Sequence, residues 1–188
     1  MPPGLERTAG LARWFQALFE ARGQPVPVLV GGGAVELYTG GAYTTGDLDF
    51  VGAVSQEVED DLRSAGFQRT GRHWVHEEGG IFIELPASSL TDGERAVRIG
   101  SGDESVLTIS PEDALVDRLA AWQHWRSSLD GISAALLYLK VGAELDWKFL
   151  REAAGRREAT EALDRLPALG KAAPALDALE AWAREYPS

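Results

Sequence analysis

The stretch "VLVGGGAVELYTGGAYTTGDLDFVG", residues 28–52, decides how this chain is read. An apolar run ends at three consecutive glycines, Gly31, Gly32 and Gly33, and a second apolar run opens on the pair Asp47 and Asp49. The run over residues 26–30 has the composition of a buried strand, and glycine is the residue for a tight turn or a close backbone approach. The three glycines are therefore read as room for something to come near the backbone. Residues 47–51 read as a second strand. Its period of two sends Asp47 and Asp49 to one face and Leu48 and Phe50 to the other, so two like charges share a face.

Working outward, residues 5–22 place Leu11, Trp14, Phe15, Leu18 and Phe19 at helical spacing, with Gly23 as the stop. Between the two strands, residues 34–38 leave room for a short helix before Gly40 and Gly41. Ser55 opens a further helix that ends near Gly66, with Glu57 and Glu59 in its first turn. Residues 67–109 alternate: "HWVHEEGGIFIEL" reads as a hairpin about Gly79 and Gly80, and "RAVRI" with "SVLTI" as one more strand pair. From Ser110 the pattern is helical. Ser110 is the N-cap and Pro111 the first helical residue, and further helices are expected at about 128–142, 146–154, 157–166 and 173–185.

The expected fold is α+β, a mixed sheet flanked by helices over residues 1–109, followed by a helical subdomain over 110–188.

The 188 residues are 45% apolar, enough for a substantial core. With no cysteine, disulfides and thiolate metal sites are excluded, as fits a reducing cytoplasm. The N-terminal segment lacks the apolar h-region of a signal peptide, and no run approaches the roughly 20 apolar residues of a membrane helix. A cytoplasmic protein without a membrane partner is expected. The formal net charge of -11 excludes a broad basic footprint for nucleic acid. Local basic groups remain, Arg69 with Arg72 and Arg151 with Arg156 and Arg157, and their ordinary reading is solvated surface charge.

Three chemistries place glycines after a strand. A P-loop needs Lys followed by Ser or Thr, which "GGGAVELYTG" lacks. A dinucleotide-binding turn needs a third small residue where this chain has Glu36, too large and too anionic to pack beside a pyrophosphate, and the helix is too short for the crossover. Metal-assisted nucleotidyl transfer needs carboxylates on a rigid strand to hold magnesium against triphosphate oxygens, and Asp47 and Asp49 supply them. Alternate residues on a strand lie about 6.6–6.8 Å apart at the α-carbon, within reach of two ions spaced about 3.5–4 Å. In "IFIEL", Ile81, Ile83 and Leu85 share one face, and Glu84 shares the other with Phe82 as the candidate third acid.

Together, Gly31-Gly32, a short helix, Asp47-Leu48-Asp49 and an acidic strand at Glu84 resemble the nucleotidyltransferase fold of the polymerase-beta-like superfamily. Within it, "GGGAVELYTGG…TTGDLDFV" followed by "SPEDALVDRLAAWQHWRSSLDGISAALL" looks like the bacterial toxin-type and abortive-infection nucleotidyltransferases, over roughly residues 26–140. The resemblance implies that Gly31, Gly32 and the following helix N-terminus hold a nucleoside triphosphate. Asp47 and Asp49 would bind magnesium, or manganese, and Glu84 would activate an acceptor hydroxyl. Thr45 matches a threonine of the family pattern, whereas Tyr43 stands where the relatives carry arginine. Arg118 matches a basic residue of the family and Asp130 a further acid. Lys140 is a second candidate phosphate contact, and both cations also have ordinary ion-pair or surface explanations.

The toxin-type resemblance further implies transfer RNA as acceptor and an antitoxin protein as partner, beside a small-molecule or protein hydroxyl. Tyr43 leaves a second reading open, a catalytically silent binding module of the same fold. His73 and His76, three apart on a strand, face opposite ways and cannot chelate one ion, so both are read as surface residues. Trp122 and Trp125 are read as helix-packing aromatics.

Overall fold

A computed structural model describes residues 3–170 and 175–187. The chain divides into two compact units, Met1–Ile109 and Ser110–Ser188.

The first unit is built on one mixed seven-stranded sheet. Its strands are β1 (Val28–Val30), β2 (Leu48–Val51), β3 (Gln68–Thr70), β4 (His73–His76), β5 (Ile81–Ala87), β6 (Ala96–Ile99) and β7 (Val106–Ile109), in the spatial order β3-β4-β5-β2-β1-β7-β6. Among the described residues, three α-helices belong to this unit: α1 (Pro3–Glu20), α2 (Gly31–Thr39) and α3 (Gln56–Ser64). The central strands set the geometry of everything that follows. β1 runs antiparallel to β2, with Val30 opposite Asp49, while β2 runs parallel to β5, with Asp49 opposite Glu84. The expected hairpin is present, β4 pairing antiparallel with β5 so that His73 faces Glu84 and Val75 faces Phe82. β6 and β7 form the second antiparallel pair.

Alternation explains which side of β2 meets the core. Leu48 and Phe50 are buried with Leu29, Ile83 and Trp74, and Phe15 and Phe19 of α1 join them. The Phe15 ring lies 4.6 Å from that of Phe50 and 5.3 Å from that of Phe19. Burying each such side chain contributes about 1.5–3 kcal/mol relative to leaving it in water. α1 is also tied to the sheet by a buried glutamine. Gln16 Nε2 donates to the carbonyls of Pro27 (2.9 Å) and Leu107 (2.7 Å), and its Oε1 accepts from the Leu107 amide at 2.9 Å.

Several expected boundaries shift. β1 starts at Val28 rather than residue 26, after Pro27, whose missing N–H removes a ladder donor. α2 begins at Gly31 instead of residue 34, so the three glycines form the first turn of the helix. β2 begins at Leu48, leaving Asp47 exposed just ahead of the strand. β3 was not expected: its three residues are all exposed, so no apolar alternation marks it. The Ser55 cap is as read, its hydroxyl accepting from the Val58 amide.

The second unit is helical: α4 (Pro111–Trp125), α5 (Ser128–Val141), α6 (Trp147–Arg156), α7 (Thr160–Arg165) and α8 (Leu176–Arg184). Ser110 caps α4 by accepting from the Asp113 amide at 3.1 Å, with Pro111 in the first turn. The expected last helix would have begun at residue 173, which lies outside the described residues together with 174. Trp122 is fully buried, donates from Nε1 to the Ala183 carbonyl at 2.7 Å and packs on Trp182. Trp125 corrects the expectation for that pair, since it is 82% exposed and packs no core.

Candidate functional site

The site is built where β1 turns into α2. Gly31 has a φ of +61°, a left-handed conformation that L side chains rarely adopt, and a β-carbon there would overlap Asp49 Oδ2. A β-carbon on Gly32 would stand 2.6 Å from Thr45 Oγ1 and 3.5 Å from Tyr43 Cε1, and one on Gly33 would press on Leu29 and Leu48 at 3.0 and 3.1 Å. The β-carbon sides of all three glycines therefore face the chain's own side chains, and Gly33 serves the core.

α2 has no side-chain N-cap, because Val30 occupies that position. The amides of its first turn and the positive end of its dipole favour negative charge, and Asp49 brings a carboxylate to that end.

Asp47 and Glu84 complete the acidic group. Thr45 Oγ1 donates to Asp47 Oδ1 at 2.9 Å, so threonine and aspartate are joined directly. Glu84 is the register partner of Asp49 and is flanked on its other side by His73, whose Nδ1 lies 3.5 Å from Glu84 Oε2. Its second oxygen is ion-paired with Arg72 Nε at 2.6 Å. Glu84 is thus already held by a guanidinium. Asp47, His73, Phe82, Glu84 and Gly46 line one cavity of about 420 Å³, and Phe82 projects into it while 47% exposed, unusual for so large an apolar side chain.

A buried carboxylate supports the loop from beneath. Glu36 of α2 is 1% exposed, and its Oε2 accepts from the Thr8 hydroxyl at 3.0 Å and the Thr45 amide at 3.2 Å. A continuous chain of hydrogen bonds therefore runs from Thr8 through Glu36 and Thr45 to Asp47. Sequence reasoning used Glu36 only to exclude a dinucleotide-binding turn, although an acid inside the apolar "AVELY" marked it as a group needing partners. Arg7 of α1 lines a cavity with residues 44–47, a juxtaposition that nothing near it in sequence signals. His73 and His76 are both partly exposed, and His76 closes the hairpin, its Nδ1 accepting from the Gly79 amide while its ring packs edge-on against Phe67.

The two candidate cations of the helical unit differ in their settings. Arg118 Nη1 pairs with Asp130 Oδ1 at 2.8 Å, and Lys140 is exposed in the last turn of α5. Four of the basic groups noted above are ion-paired, Arg69 with Glu59, Arg72 with Glu84, Arg151 with Asp164 and Arg157 with Asp117, while Arg156 lies over the Phe149 ring.

Among the described residues, no three His, Asp or Glu side chains are disposed to hold a metal ion. Magnesium, however, is commonly held by one or two carboxylates with substrate phosphates and water completing its shell. Asp47, just ahead of β2, and Asp49, within it, are two such carboxylates. Among the described residues no helix is long and apolar enough to cross a membrane. No family model, curated protein or solved structure matches the chain.

Proposed function

We propose that the protein is a magnesium-dependent nucleotidyltransferase, moving a nucleotidyl group from a nucleoside triphosphate to a hydroxyl acceptor. The observation that carries this reading is the meeting of Asp49 with Gly31 at the N-terminus of α2, with Glu84 opposite Asp49 in register and Asp47 just ahead of β2. Amide donors and a positive helix end suit phosphate, and two carboxylates suit the cation that must stand between them and it. Magnesium would lie on Asp47 and Asp49, supplying charge neutralisation at the phosphoryl oxygens. Gly31, Gly32 and Thr45 would border the triphosphate. Glu84 would take the proton of the acceptor hydroxyl, and the cavity over Phe82 has an aromatic face for a base or ring to stack on.

In the reaction, an acceptor oxygen attacks the α-phosphorus, the bond to the β-phosphate oxygen breaks, pyrophosphate leaves and the hydroxyl proton passes to a carboxylate. Transfer RNA as acceptor and an antitoxin partner belong to this proposal through the toxin-type resemblance, and a cytoplasmic setting belongs to it through the cysteine-free composition. The acidity of the chain restricts any grip on RNA to local cations.

One observation favours a second reading, a silent binding module of the same architecture: Arg72 occupies Glu84. Calorimetric titration of the full chain with each of the four ribonucleoside triphosphates, with and without magnesium, tests both. Metal-dependent binding with label transfer to cell-extract RNA, protein or small molecules supports the enzyme. Binding without transfer supports the module, and a folded chain that binds none at millimolar concentration refutes both.

A further inference from the structure

A second, smaller cavity of about 70 Å³ adjoins the candidate site, lined among others by Arg7, Thr8, Glu36, Thr44, Thr45 and Asp47. Asp47 and Phe82 line this cavity and the larger one, so the two border the same acidic loop. Arg7 is its one cationic lining residue. In a chain of 29 acidic residues most arginines have found a carboxylate, yet among the described residues Arg7 has none. Instead its Nη2 donates to the carbonyls of Gly79 at 3.0 Å and Gly80 at 2.7 Å, in the turn between β4 and β5.

That anchorage has two consequences. It holds the guanidinium by neutral acceptors, so the positive charge is not cancelled. It also uses only one of three nitrogens, leaving Nη1 and Nε without a protein acceptor among the described residues, and a planar fork with open N–H donors is the geometry that suits phosphate. Glu36 and Asp47 line the same cavity, Glu36 Oε2 accepting from Thr8 and Thr45 and Asp47 Oδ1 from Thr45, and among the described residues no ion pair joins either of them to Arg7.

We infer that Arg7 is a polyphosphate-binding residue, receiving a phosphate whose magnesium is carried by Asp47 and Asp49. The inference rests on the proposed function and assigns the cation that shares the anion of that site. It gives α1 a binding role beside its packing role, and it makes the β4–β5 turn the element that aims the guanidinium.

The test uses the full chain, with magnesium tripolyphosphate and magnesium ATP as probes, in wild type, Arg7→Gln, Arg7→Lys and Asp49→Asn, each with a thermal melt. The expected result is at least tenfold weaker binding of both probes by Arg7→Gln, partial recovery in Arg7→Lys, a shallower salt dependence of binding in Arg7→Gln, and abolished binding in Asp49→Asn. Tripolyphosphate affected as strongly as ATP identifies the phosphate chain, not the base, as the group recognised. If Arg7→Gln binds like wild type while Asp49→Asn does not, Arg7 is only a strap on the hairpin turn, and the inference fails with the proposed function intact. If Arg7→Lys is as weak as Arg7→Gln with the same loss of melting temperature, the strap again accounts for the effect and the inference fails. If wild type binds neither probe, both fall together.

Discussion

Asp49 stands so close to Gly31 that a β-carbon at residue 31 would occupy the place of its Oδ2. The contact joins the end of β1 to β2 across an antiparallel pair in which Val30 is already the partner of Asp49. Position 31 is doubly restricted, by its left-handed φ of +61° and by the carboxylate above it. Gly31→Ala is expected to cost at least about 1–2 kcal/mol from the backbone conformation alone, with a further loss as Asp49 is displaced. Gly33→Ala has no such φ and strains only the packing of Leu29 and Leu48. Denaturant titration should show the larger fall in midpoint for Gly31→Ala, and an equal or smaller fall would contradict the close contact with Asp49.

Asp49→Asn separates charge from shape. The amide keeps the volume and removes the negative charge beside the first turn of α2, so stability should change by no more than about 1 kcal/mol, the scale of a charge at a helix N-terminus. Magnesium-dependent triphosphate binding should disappear. A variant that unfolds yet still binds in its folded fraction would make the aspartate structural.

Glu36 is predicted to matter through its partners. Glu36→Leu strips the Thr8 hydroxyl and the part-buried Thr45 amide of their acceptor, at about 1–3 kcal/mol for the buried Thr8 donor and less for Thr45. Glu36→Gln keeps a carbonyl acceptor and should lose less. Chemical denaturation ranks the two, and hydrogen exchange at the Thr45 amide should quicken more in the leucine variant.

Gly32 and Thr45 should be coupled. Gly32→Ala places its methyl 2.6 Å from Thr45 Oγ1 and 2.9 Å from Thr45 Cβ, so trimming Thr45 to glycine relieves the clash. A double-mutant cycle is expected to return an interaction energy of about 0.5–3 kcal/mol, the range for residues in contact. Simple additivity would mean that the loop does not lie over α2 as described.

The pH dependence at the start of α3 has a defined sign. The Ser55 hydroxyl, then the backbone amide of Glu57 itself, hold the Glu57 carboxyl below its ordinary value. A depressed carboxylate stabilises the fold above its ordinary titration range, and that contribution is lost as pH falls through the folded value. The difference in melting temperature between wild type and Glu57→Gln should therefore be present at neutral pH and close on acidification. A gap that widens toward acid would refute the assignment.

Local chemistry alone determined much of this protein. The Ser55 and Ser110 caps, Pro111 at the start of α4, the hairpin about Gly79 and Gly80 and the opposite facing of Ile83 and Glu84 were legible in sequence, because each depends on neighbours within a few residues or on a period of two. Tertiary structure decided what the local pattern left open. Parallel pairing of β2 with β5 put Glu84 opposite Asp49 across 35 positions of chain, and packing of α1 brought Arg7 to a turn 72 residues away. It also decided why each of three adjacent glycines is glycine, since a missing β-carbon is explained only by the atoms that fill its place: Asp49, Thr45, and Leu29 with Leu48. Periodicity and capping are interactions along the chain and are written in residue order, whereas steric exclusion and charge pairing between distant segments exist only once the chain has closed on itself.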